Sequence, residues 1–167
     1  NEKKISAMPI YKIAENIGSV FQDPKTQFFN VDTTSEIISH ILTMIGVGFL
    51  EEIIFRGFLF QMMAKDSIKQ AIVVTSLTFG IGHILNLLNG AEIIPTLIQI
   101  IYAISTGYLF AIILHKGKSL WPCIITHSVV NSLSIFNTTL VSTYIAPITL
   151  TIVPILYSIY INKKIKE

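Results

Sequence analysis

Two adjacent carboxylates and the chain's single arginine interrupt an apolar run at Gly48-Phe49-Leu50-Glu51-Glu52-Ile53-Ile54-Phe55-Arg56-Gly57. At a bilayer centre each such charge costs roughly 2.5–3.5 kcal/mol on insertion scales. The surrounding structure must therefore pair them or use them. On a helix, Glu52 and Arg56 are four residues apart, share a face and can pair. Glu51 points about 100° away. The spacing predicts a Glu52–Arg56 clamp and leaves Glu51 as the spare carboxylate facing a cavity. The alternative is one three-membered ion cluster that only fixes helix packing.

The rest of the chain supports a membrane setting. Apolar residues make up 51% of its 167 residues and charged ones 13%, about half the usual charged share of a soluble domain. Mean hydropathy is +0.65. The net charge of +2 comes from lysines at segment ends, which form no stripe that would grip nucleic acid. Cys123 is the single cysteine, so an internal disulfide is excluded, and it reads as a small core residue.

Five apolar segments follow one another, at about 36–64, 70–88, 93–114, 120–140 and 143–161. The fold expected is all-α, a polytopic transmembrane bundle of about five spans over residues 36–162. A polar N-terminal segment, 1–35, precedes it, and a basic tail, 163–167, ends it. Within 1–35, Ile10, Ile13, Ala14, Ile17, Val20 and Phe21 recur at helical spacing, which suits a short helix lying on a membrane surface or on protein. The first long segment would extend about 43 Å, more than the ~30 Å hydrocarbon core, so it must tilt, bend or project. Thr33 with Glu36 and Ser67 with Gln70 have capping-box spacing, and Ser119 is placed to cap the fourth segment. Pro147 and Pro154 are placed to kink the fifth.

Lysine placement sets the orientation. Lys65, Lys69, Lys116, Lys118, Lys163, Lys164 and Lys166 fall on one side if each segment crosses once, and that side is expected to be cytoplasmic. The lysines of residues 1–35 do not fit this arrangement.

Further polar residues stand out in apolar helices: His83 in Phe79-x-x-x-His83, and His127 with Asn131 four residues on. Each has a structural alternative, because His and Asn often join helices. His40 and His115 read as interfacial, while Gln99, Ser105 and Tyr108 read as a polar seam. The combination is more informative than any member. A carboxylate, two histidines and an amide from three segments would supply a water-activating base and oxyanion donors. Glu51, His83 and His127 are also a ligand set found in zinc hydrolases, although no His-Glu-x-x-His is present.

Glu51-Glu52-x-x-x-Arg56, Phe79-x-x-x-His83 and His127-x-x-x-Asn131, in that order and each in its own apolar segment, resemble the three motifs of the CPBP (CAAX protease and bacteriocin-processing, Abi) intramembrane proteases. That family includes the Ras-converting enzyme. The resemblance covers roughly residues 36–140. It implies a helical bundle with a catalytic cavity inside the bilayer. It implies that Glu51, helped by His83, activates water, that His127 and Asn131 stabilise the oxyanion, and that Glu52, Arg56 and Phe79 support the site. Both a zinc and a metal-free mechanism are put forward for such enzymes, so zinc is the one cofactor in question. Members usually carry further helices before the Glu-Glu motif. Here that region is short and polar, so either they were cut away or this is a minimal member.

The leading expectation is an endopeptidase of a bacterial plasma membrane, acting on a membrane-associated peptide or protein, in bacteriocin or signal-peptide processing or self-immunity. The alternatives are a non-catalytic immunity or scaffold protein that binds a peptide in the same cavity, and a small transporter or proton relay.

Overall fold

Hydrocarbon offers no water to the backbone, so a chain of this composition must bond its amides within each segment. The computed structural model describes residues 33–136 and 140–164, and every regular element among them is helical. The amphipathic helix expected before residue 33 and the tail residues 165–167 lie outside the described residues. The site lies in a compact unit, His40–Glu167; residues 33–39 are the opening turns of the first helix.

Helix α1 is α-helical over Thr33–Glu52, π-helical over Ile53–Phe60 and α-helical again over Gln61–Met63. Helix α2 starts at Ile68, where the Ser67 side chain accepts from the Gln70 amide at 3.3 Å, as the capping spacing predicts. It tightens to 3₁₀ over His83–Asn89 and ends on Gly90 at φ 85°, a left-handed cap that favours glycine. Helix α3 is Ile93–Gly117. Helix α4, Trp121–Leu133, has Leu120 at its N-cap without a side-chain bond, so Ser119 does not cap it. A 3₁₀ turn, Ser134–Phe136, follows. Helix α5, Ala146–Lys164, is entered through a π-helical turn at Val141–Ile145.

The all-α membrane bundle is as expected, with one difference in its spans. Four helical runs are long and apolar enough to cross a membrane: Thr33–Met63, Ile68–Asn89, Ile93–Gly117 and Thr143–Lys164. The apolar segment at 120–140 instead forms a helix of 13 residues. The protein is an integral membrane protein with α3 at its centre. In α3, 44% of the apolar window is buried, against 28% or less in the other three.

Close approaches fix this packing. A Cβ on Gly80 would lie 2.9 Å from the Ile100 carbonyl oxygen, so α2 sits directly on α3. Likewise a Cβ on Gly48 would lie 2.9 Å from the Ser128 nitrogen, and the Ser128 hydroxyl donates to the Ile45 carbonyl at 3.3 Å, joining α4 to α1. Pro154 lies inside α5 and has no N–H for the Leu150 carbonyl one turn back. The Thr106 hydroxyl of α3 donates to that carbonyl at 3.3 Å.

Two apolar clusters align the helix ends. Phe60, Ala71, Ala111 and Leu114 pack together with Leu120 against them. Leu109, Phe110, Ile112, Cys123 and Ile161 form the other. The end of α1, the start of α2, the end of α3, the start of α4 and the end of α5 therefore meet at one end of this unit. Lys65, Lys69, Lys116, Lys118, Lys163 and Lys164 belong to those termini.

Candidate active site

Glu51 and Glu52 are the last residues of α1 before its π-helical stretch. Single-turn π segments inside α-helices occur frequently at functional sites, because they re-aim side chains without breaking the helix. Arg56 lies within the π segment and is fully buried, as is Glu52. Arg56 Nη1 donates to Glu52 Oε1 at 3.1 Å, which is the clamp the spacing predicts. The same oxygen accepts from His127 Nδ1 at 2.8 Å. A second contact follows on the other face of that ring: His127 Nε2 is 3.4 Å from Glu51 Oε2.

These bonds restrict the imidazole. A carboxylate can only accept, so Nδ1 carries the proton towards Glu52. Nε2 is left opposite Glu51. With a second proton on the ring the two form an ion pair; without it they are facing acceptors that one water or one shared proton would join. Glu51 is the more accessible carboxylate, its side chain a third exposed where that of Glu52 is fully buried.

Phe79 is the wall shared by both histidines. Its ring makes edge contacts with His83 at 5.4 Å and His127 at 5.6 Å between centroids. The Arg56 guanidinium lies 4.3 Å from the Phe79 centroid and 5.5 Å from that of Phe110, where the negative ring faces attract a cation. His83 Nδ1 donates to the Phe79 carbonyl at 3.1 Å, so its Nε2 is the available acceptor when the ring is neutral.

A cavity of about 540 Å³ is bounded by α2, α3, α4 and the start of α5, and His83, His127 and Asn131 line it. Its walls also include Phe79, Gln99, Leu109, Phe110, Val130, Leu150 and Val153. Glu51 does not line this cavity; it meets His127 from the α1 side. Thus Glu51, Glu52, Arg56 and His127 form one bonded cluster, Phe79 joins it to His83, and Asn131 shares the cavity with both histidines.

The zinc ligand set fits poorly. Among the described residues no three His, Cys, Asp or Glu side chains come together to hold a metal ion. Both His127 nitrogens face glutamates, and His83 Nδ1 is bonded to its own helix.

Two residues here escaped sequence reasoning. A Cβ on Gly107 would lie 3.0 Å from Arg56 Nη2 and 3.1 Å from Phe79 Cδ1, so its hydrogen leaves the space that the guanidinium fills. Phe110 packs on His127 at 5.9 Å. Their one signal is that both fall on the α3 face that carries Ala103 and Thr106.

Comparison with known proteins identifies the family of the chain. A Treponema denticola protein described as an ABC transporter ATP-binding protein is 55% identical over 29 residues, 17% of this chain. The match spans 6% of that protein's length, too little to carry an argument about function. No solved structure matches the chain. The Rce1-like family, type II CAAX prenyl endopeptidase Rce1-like, matches residues 33–133, well over half of the chain and the whole stretch from Glu51 to Asn131. The chain therefore belongs to the Rce1-like family.

Proposed function

We propose that this protein is an intramembrane endopeptidase that hydrolyses a peptide bond of a membrane-associated peptide or protein. The observation that carries the reading is His127 held between two glutamates, with Glu52 fixing Nδ1 and the accessible Glu51 facing Nε2. Glu51 takes a proton from water as its oxygen attacks the scissile carbonyl carbon, with His83 Nε2 as a second acceptor nearby. His127, with both ring nitrogens protonated, donates through Nε2–H, and the Asn131 amide donates beside it, to the oxyanion that forms. Collapse breaks the C–N bond, and Glu51 returns the proton to the leaving amine. The apolar cavity holds the substrate segment. In a bacterial plasma membrane, with the lysine-rich end cytoplasmic, bacteriocin or signal-peptide processing or self-immunity would use this chemistry.

The test uses the full chain in lipid nanodiscs and two quenched fluorescent peptides. One is a ten-residue peptide ending in farnesylated Cys-Ala-Ala-Met, the other an unprenylated apolar peptide of equal length. Wild type cleaves at least one, and Glu51→Gln lowers kcat by about 10²–10⁴-fold, the range for a lost general base, with peptide affinity unchanged. Equal turnover by both proteins would falsify the role of Glu51. Binding of a peptide without cleavage by wild type would instead identify a binder that uses the same cavity.

A further inference from the structure

We infer that Gln99 is a substrate-positioning residue that hydrogen-bonds the main chain of a peptide lying in the cavity; this rests on the endopeptidase reading above. Gln99 lines the cavity together with His83, His127 and Asn131. Its side chain is anchored, because Asn86 Nδ2 donates to Gln99 Oε1 at 3.0 Å. Asn86 follows His83 by three residues in the 3₁₀ stretch of α2, where side chains three apart eclipse. The anchor of Gln99 and one histidine of the site thus project from the same side of one element.

A peptide in an apolar cavity must find partners for its amides or lose several kcal/mol per group. The Thr106 hydroxyl in that cavity is already committed to the Leu150 carbonyl. Gln99 has its oxygen occupied and its two amide N–H donors left for the cavity, in an orientation set by Asn86. A primary amide offered this way matches a peptide carbonyl. Its anchor Asn86 lies one 3₁₀ turn from His83, so Gln99 contacts the substrate main chain on the His83 side of the cavity and reads its backbone rather than a side chain.

The experiment scans the farnesylated ten-residue peptide with ester bonds, one main-chain amide at a time, since an ester carbonyl is a poorer acceptor. In wild type an ester at one main-chain position raises KM. Gln99→Leu raises KM for the all-amide peptide about tenfold, the value of one lost hydrogen bond, leaves kcat unchanged and abolishes sensitivity to that one ester. Asn86→Ala gives a smaller rise at the same position. Identical ester profiles in wild type and Gln99→Leu overturn the inference while leaving the endopeptidase reading intact. If wild type cleaves nothing, that reading fails instead, and affinity of the same peptides for the Glu51→Gln protein, by fluorescence anisotropy, replaces KM. Equal affinity with and without Gln99, or no binding at all, overturns the role of Gln99.

Discussion

Arg56 has two of its nitrogens, Nε and Nη2, and Glu52 has its Oε2, buried without a hydrogen-bond partner among the described residues. The guanidinium is stabilised instead by one carboxylate and by the faces of Phe79 and Phe110. Removing either partner of such a buried pair strands the other charge, at a cost of about 3–5 kcal/mol, whereas replacing both with apolar groups of similar volume is often neutral. Glu52→Leu and Arg56→Met should each lower unfolding free energy by about that amount, and the double variant should lose far less. Denaturant unfolding in detergent micelles measures this. The double variant is expected to stay folded yet inactive, because His127 Nδ1 then has no acceptor to fix its ring. Glu51, Glu52, Arg56, His83, His127 and Asn131 were legible in the sequence because each is a polar group in an apolar run, where its cost calls for an explanation. Gly107 and Phe110 were not legible, because a small or aromatic residue in an apolar helix looks like every other packing residue.

Among the elements, α1 and α5 show why boundaries and local geometry are harder to read than helix type. Apolar runs announced the helices. They could not announce the π segment at Ile53–Phe60, because a shift from i→i+4 to i→i+5 bonding leaves no mark on hydrophobicity. Nor could they show where α4 ends, since the apolar run continues past Leu133. Pro154 was visible as a breaker, but its compensation by Thr106 is a long-range bond. The carbonyl of Leu150 is the group at stake. Thr106→Val should cost about 1–3 kcal/mol by orphaning it. Pro154→Ala should largely rescue Thr106→Val, since the restored N–H can bond Leu150 along the helix. A double-mutant cycle on thermal unfolding tests the coupling, and strictly additive losses would refute it.

For the unit as a whole, stability rests on helices pressed together at small residues around α3. Gly80 and Gly82 are two positions apart, yet they face different surroundings. A Cβ on Gly80 meets the α3 backbone, while one on Gly82 meets nothing within 4 Å. Gly80→Ala should therefore separate α2 from α3 and reduce both folded yield and activity. Gly82→Ala should be neutral or stabilising by up to about 1 kcal/mol through helix propensity. Size-exclusion profiles and melting temperatures of the two variants decide this; comparable losses would mean that the α2–α3 contact is not the controlling one. The lysine-rich termini lie together at one end of this unit. The apolar clusters at Phe60 and Ile161 enforce it.

The short α4 differs from the four spanning runs in what its C-terminal end must satisfy. At 13 residues it is about 20 Å long, against a hydrocarbon core of ~30 Å. A helix of that length does not cross such a core by itself, and the chain turns at Ser134–Phe136 just after Asn131. The final carbonyls of any helix lack partners within it, and irregular backbone is tolerated within hydrocarbon only beside protein or a hydrated space. At the end of α4 the Ser134 N–H donates to the Asn131 carbonyl, so the helix that presents His127 and Asn131 closes part of its own end through the following 3₁₀ turn.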